Sequence, residues 1–289
     1  MRKVDADFEE EFEKKKNSPI RRFISIIILL ITLIIIYGFY VGPTGLLINS
    51  HTINTNKITD SYNYFKIIQF SDVHYGKTIK DKEFKKIVKK INMYNPDIVV
   101  FTGDLIDQTI IPNEKQIAKL NEYLKEIDSE YGKYYVSGDH DIKFDGYDDL
   151  MVKSNFVSLN DKFDIIYNKN DENIFISGIN YKSTGDYLKE LKFEELPSYK
   201  INIMHTPDTF DNISSYNYDL VLAGHTLNGL INIPFYGGLY KEEGGLKYNK
   251  PYYQINNTEF YISNGLGTSD LNFRLFNRPS ISIYILQKK

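Results

Sequence analysis

The sequence predicts an α/β domain carried behind one membrane-crossing helix, on three observations. Phe23 to Val41 carries no charge and is long enough to cross a bilayer as a helix. From Tyr62 onward, strand-like and helix-like patterns alternate. The apolar runs of that region end repeatedly on Asp, His and Gly.

Taken in order, residues 1–19 read as a charged cytoplasmic tail, acidic and then basic, and residues 20–42 as the transmembrane helix. Lys14, Lys15, Lys16, Arg21 and Arg22 precede the apolar run and little positive charge follows it closely, which keeps the N-terminus inside and places the C-terminal domain outside the cytoplasm. A cleaved signal peptide fits less well, because the run is longer than a usual signal core and no small-residue cleavage site follows it. Residues 43–61, rich in Asn and Thr, read as a polar linker, and residues 62–289 as the globular domain. Within it YFKIIQF is a strand, EFKKIVKKINMY an amphipathic helix, DIVVFTGD a strand, KQIAKLNEYLKEI a helix and KYYVSGD a strand. After Asp164 strands dominate: FDIIYN, NIFISGIN, YKINIMH, YDLVLAGH, then EFYISNGLG and SISIYILQ. There is no internal repeat.

Composition narrows the function. A chain of 289 residues, 42% hydrophobic and 15% aromatic, can build a full core. A net charge of -3 gives no broad basic surface, so no stable nucleic-acid partner is expected. Cysteine is absent, which removes disulfides, thiolate metal sites and thiol nucleophiles.

Five apolar runs end in FSDVHYG, VVFTGDLID, YVSGDHD, INIMHTPD and LVLAGHTLNG. Carboxyl ends of strands in an open α/β sheet share one rim, so these clusters should converge. Any one of these histidines is unremarkable as a surface or core residue. Four of the five in the chain, His74, His140, His205 and His225, fall at such ends beside aspartates, and only His51 does not. Asp72 and His74, one residue apart on an extended segment, point the same way. Asp and His without thiolates suit divalent ions of the Mn, Fe or Zn kind. Asp104 can bridge two of them, and Gly103 lets the chain come close. Two ions roughly 3.5–4 Å apart suit in-line attack on phosphorus.

The order D-X-H, G-D, G-[N/D]-H-D, H and G-H-X-X resembles the calcineurin-like metallophosphoesterase superfamily from about Tyr64 to the end. It is most similar to the membrane-anchored bacterial branch, also at HTPD, at GHT followed by INIPFYGGLY, and at YISNGLGTSDLNFRLFNRPSISI. The resemblance implies a four-layer α/β/β/α sandwich and hydrolysis of a phosphomonoester or phosphodiester at two divalent metals. It implies Asp72 and His74 on the first metal, Asp104 as bridge, and Asp139, His205 and His225 on the second. It also implies that His140 faces the scissile phosphate without ligating, with Asp141 hydrogen-bonding its far nitrogen. Asp107 reads either as a group behind the ligands or as a helix N-cap.

Two positions depart from the family pattern. Asp139 stands where the family has Asn, a tolerable change of a neutral ligand for a charged one. Leu227 stands where the family has a ligand His, which leaves the first metal with Asp72, His74, Asp104 and water. The expected protein is therefore a membrane-anchored, metal-dependent phosphoesterase with a weak first site, facing lipid headgroups and lipid-linked envelope precursors. The segment PFYGGLYKEEGGLKYNKPYY reads either as a wall on one side of the site or as an exposed hairpin. The alternative is a tethered metal- or phosphate-binding protein that has lost catalysis.

Overall fold

A computed structural model describes residues 19–168, 173–233 and 237–289. The expected cytoplasmic tail lies almost wholly outside the described residues. Helix α1, Pro19–Tyr40, matches the expected span. Of its residues only Gly38 is buried; its isoleucines and leucines face outward, so no protein core covers them.

Two six-stranded sheets form the domain. The first has the order β1 (Leu47–Thr55), β14 (Ser280–Lys288), β2 (Lys66–Phe70), β3 (Ile98–Phe101), β4 (Gly132–Tyr135) and β5 (Phe156–Ser158). In the second the order is β12 (Tyr252–Ile255), β13 (Thr258–Ile262), β9 (Leu220–Ala223), β8 (Tyr199–Met204), β7 (Ile174–Ile179) and β6 (Lys162–Ile166). A short ladder, β10 (Asn232–Ile233) with β11 (Gly237–Gly238), stands apart.

The period of two along each strand builds the layers. Ile98 and Val100 of β3 face the second sheet and meet Ile201, Ile203, Leu220 and Leu222. Val99 and Phe101 face the other way. They meet helices α2 (Asp81–Asn92), α3 (Glu114–Glu126) and α4 (Tyr147–Lys153) through Phe84, Ile91, Leu124 and Met151. The outer face of the second sheet is covered by Leu188 and by Phe210 and Ile213 of the short helix α5 (Phe210–Ile213). This is the expected four-layer α/β/β/α sandwich.

One expectation needs correction. Within the segment read as a linker, β1 pairs in parallel with the whole of β14, from Leu47 opposite Ser280 to Thr55 opposite Lys288. It is an edge strand with a single fully buried apolar residue, Ile53, so its letters look like loop. His51 belongs to it and packs against Tyr261 and Tyr284, at ring distances of 4.6 and 5.4 Å, away from the site.

Candidate metal centre

The parallel strands β2, β3, β4, β8 and β9 all deliver their carboxyl ends to one rim, as expected. The loops leaving them are stitched together by backbone hydrogen bonds: Asp72 N–H donates to Gly103 O, Val73 N–H to Asp104 O and Gly224 N–H to His205 O. Asp72, His74, Asp104 and His225 all adopt left-handed backbone, with φ of 51°, 46°, 65° and 70°. Non-glycine residues rarely sit there, and such strain gathers at functional sites. Two glycines make the convergence possible. A Cβ on Gly103 (φ +97°) would lie 2.5 Å from His205 Nδ1, and one on Gly138 would lie 2.1 Å from Asp104 Oδ1.

Asp104, Asp139, His205 and His225 come together with one ligand atom of each within 4.8 Å of the others. His205 Nε2 is 3.5 Å from Asp104 Oδ2 and 3.2 Å from Asp139 Oδ1, and His225 Nδ1 is 3.4 Å from Asp139 Oδ1. The far nitrogens decide what those near ones are. His205 Nδ1 lies 2.7 Å from the Thr102 carbonyl and His225 Nε2 lies 2.7 Å from the Glu243 carbonyl. A carbonyl only accepts, so each far nitrogen carries a proton, and in the neutral rings the near ones present lone pairs. Two imidazole lone pairs, 3.2 Å apart, and two carboxylates thus face one point. That donor set fits a divalent cation, with each imidazole oriented from behind.

The ionisation of the groups agrees. Burial pushes Asp104 up, but His205 and His74 outweigh it and hold its carboxyl down to about 2. Burial likewise opposes the charge on Asp139, yet hydrogen bonding with His205 and His225 holds it well below the usual carboxylate range. Burial would lower His205, but Asp104 and Asp139 raise it far above its ordinary value. The field that holds a proton there is one that would hold a metal.

A second cluster shares Asp104 and adds His74 and His140. His74 Nε2 lies 4.0 Å from Asp104 Oδ2, while its Nδ1 faces Asp107 Oδ2 at 3.4 Å. Among the described residues neither His74 Nδ1 nor Asp107 Oδ2 has another hydrogen-bond partner. Asp107 is therefore the carboxylate behind His74. It is no helix N-cap; that role belongs to Asn113, and Asp107 Oδ1 instead accepts from Thr109 N–H.

His140 is wired the opposite way from the other three. Its Nδ1 accepts the Gln108 backbone N–H at 2.9 Å, so in the neutral ring the proton sits on Nε2. That Nε2–H points into the centre, 3.9 Å from Asp104 Oδ2 and 3.8 Å from Asp139 Oδ2. A protonated Nε2 is a donor and not a ligand. Burial lowers the pKa of the ring, which favours the neutral form.

One expected role does not survive. Asp141 does not touch the far nitrogen of His140. Its carboxylate accepts from Asp104 N–H (2.7 Å), Leu105 N–H (2.8 Å) and Gly138 N–H (2.9 Å), clamping two strand-end loops together. The reason is local: Asp141 opens a 3-10 turn that turns it into the core, where it is almost wholly buried. Burial and the charge of Asp104 push it up to about 7. Asp72 is wholly buried and in electrostatic contact with His205, Asp104 and His74, and its two oxygens accept from His225 N–H at 3.0 and 3.3 Å.

Leu227, 5% exposed, lines the cavity next to Asp72: a Cβ on Gly265 would lie 2.1 Å from Leu227 Cδ2 and 3.0 Å from Asp72 Cβ. The Asn228 side-chain amide donates to Ile262 O and to Asn264 Oδ1, and among the described residues its buried Oδ1 has no hydrogen-bond partner. The centre opens into a cavity of about 390 Å³. Of the segment read as wall or hairpin, Tyr240 and Glu242 line it, while residues 234–236 lie outside the described residues. Gln108 and Glu243 were missed because both act through backbone atoms, for which no side-chain letter is a signal.

Two facing sheets of mixed α/β topology, with imidazoles and carboxylates gathered at one rim, define a metallo-dependent phosphatase fold. The family model for calcineurin-like phosphoesterases matches residues 65–229, and the chain belongs to that family. It is 29% identical over 264 residues to the uncharacterized metallophosphoesterase YkuE of Bacillus subtilis, covering 87% of this chain and 89% of that one. An uncharacterized metallophosphoesterase of Campylobacter jejuni, Cj0846, is 30% identical over 78% of this chain and 59% of its own length. A transmembrane protein with a metallophosphoesterase domain from Danio rerio is 24% identical over 91% of this chain and 63% of its own length. Helix α1 and the transmembrane relative together associate the chain with membranes.

Proposed function

We propose that the protein is a membrane-anchored, metal-dependent phosphoesterase that hydrolyses a phosphomonoester or phosphodiester outside the cytoplasm. Helix α1 is the anchor and residues 43–289, β1 included, the working domain. The observation that carries the reading is the convergence of Asp104, Asp139, His205 and His225 with their lone pairs on one point. These four would hold one divalent ion, and Asp104 with Asp72, His74 and water would hold a second. Ions bound there would acidify a water and neutralise phosphate charge.

The chain's own residues then have separable tasks. Thr102 and Glu243 carbonyls hold His205 and His225 in the ligating tautomer, and Asp107 does the same for His74. His140, oriented by Gln108 N–H, offers its Nε2–H to the oxygen that leaves phosphorus. Asp141 fixes the distance between the β3 and β4 loops, so its loss would displace Asp104 and His140 together.

The test is hydrolysis of generic phosphomonoesters and phosphodiesters by the purified full chain, stripped and then reloaded with manganese, iron or zinc. Turnover that vanishes with chelator and returns with metal is the expected result. Absence of turnover on every ester with metal bound would favour the second reading, a tethered metal- or phosphate-binding protein, for which Leu227 in place of a ligand is the supporting observation.

A further inference from the structure

The cavity joins His74, Asp104, Asp139, His140 and His225 to an apolar wall of Leu227, Leu230, Ile231, Leu271 and Phe273, with Gln108, Tyr240, Ser269 and the acidic Glu242 and Asp270 completing its lining. A small polar phosphate ester has no use for the apolar wall. That wall is also tied to the membrane helix. Phe273 packs edge-on against Phe39 with ring centres 5.0 Å apart, and Phe276 meets Tyr37 at 6.2 Å. Arg274 N–H donates to Gly38 O at 2.9 Å, and a Cβ on Gly38 would lie 2.1 Å from the Phe273 ring, so the fit requires glycine.

The wall is firmly built. Leu275 N–H donates to Leu230 O and Asn232 N–H to Leu275 O, joining its two segments. The wholly buried Arg274 guanidinium pins the loop by donating to the carbonyls of Asn264, Gly267 and Asn277. Around it, Leu271, Phe276, Leu239 and Tyr240 are each about half exposed, beside the end of a helix whose own surface is apolar. Apolar surface on that scale, contiguous with a bilayer-spanning element, marks a place where a lipid-facing partner sits.

We infer that the substrate is an amphiphilic phosphate ester of the membrane, its phosphate at the His and Asp side and its hydrocarbon along Leu227, Leu230, Ile231, Leu271 and Phe273 toward the end of α1. The inference rests on the phosphoesterase reading and adds the substrate class. The reaction is hydrolysis: a water oxygen bonds to phosphorus as the bond to the lipid's alcohol oxygen breaks, that oxygen takes up a proton, and phosphate or a phosphomonoester departs. No other reactant is required. Leu227 then gains a positive role, as apolar wall at the point nearest the phosphate.

The experiment uses the full metal-loaded chain in phosphatidylcholine nanodiscs and ester pairs that share a phosphate and differ in their chains. These are phosphatidic acid with glycerol 3-phosphate, and phosphatidylglycerol with glycerophosphoglycerol. Dihexanoyl phosphatidic acid, monomeric in solution, separates pocket binding from mere concentration at a surface. The acylated member of at least one pair, and the dihexanoyl ester, should show kcat/KM at least tenfold above the deacylated member. Leu271→Asp, at a half-exposed position that tolerates charge, should lower that ratio at least fivefold. Equal turnover of acylated and deacylated esters, or a ratio unmoved by the substitution, overturns the inference while leaving the phosphoesterase intact. If no ester is hydrolysed, the phosphoesterase reading fails instead. Calorimetry with hexylphosphonate and methylphosphonate then decides the wall: tenfold tighter binding of the hexyl compound upholds it, equal binding overturns it.

Discussion

The two corners of the metal centre share Asp104 but are built to different standards. On one side Asp139, His205 and His225 complete a set of four donors, and each imidazole is held from behind by a carbonyl at 2.7 Å. On the other, His74 is backed by Asp107, Asp72 also accepts from His225 N–H, and the position at which the family resemblance implies a fourth ligand is the apolar Leu227. Donor number sets how tightly an ion is held, so the corners should differ in occupancy. The comparison also shows that the histidines, alike in sequence, are sorted by their far nitrogens: three face acceptors and present lone pairs, and His140 faces a donor and presents a proton.

The largest effect is expected from removing what the corners share. Asp104→Ala should release both ions and cut turnover beyond the roughly hundredfold that loss of a group behind a ligand costs. Elemental analysis of the purified variant checks it; retention of either ion at the natural level would break the comparison.

His140→Ala should slow turnover by about 10²–10⁴-fold, the usual worth of a positioned acid. The tightly held ion should stay bound, because a protonated Nε2 does not ligate. Loss of that ion together with activity would show that His140 is a ligand and that its wiring has been misread.

Asp107→Ala should weaken metal at the His74 corner by about 10–100-fold and leave the other corner alone. Titrating manganese back into the stripped variant should therefore restore activity at a higher midpoint. An unchanged midpoint would mean that the carboxylate behind His74 does nothing for it.

The smallest effect is a gain. Leu227→His should raise activity severalfold at low metal, and the gain should fade as free metal rises, since mass action fills a weak site too. A gain that persists at saturating metal would place the benefit elsewhere than in occupancy.

Much of this was legible in the letters, for definite reasons. β2, β3, β4, β8 and β9 each announce themselves as an apolar run ending in a polar cluster, and their shared rim follows from parallel pairing. LINSHTINT was not legible as a strand because polar residues fill an edge that buries only Ile53. The true partner of Asp141 was hidden by the 3-10 turn at Asp141–Lys143, which no strand periodicity foresees. Gln108 and Glu243 contribute an N–H and a carbonyl, which every residue has. Only the fold could say which of them would face a histidine.

The most direct measurement is the metal content of the full-length protein through a graded chelator titration, read beside its hydrolysis of a generic phosphodiester. The expected curve has two steps: one ion leaves first and takes activity with it, and the second leaves only at much higher chelator. Both ions leaving together, or a chain that binds neither, would contradict a centre made of one complete corner and one incomplete corner.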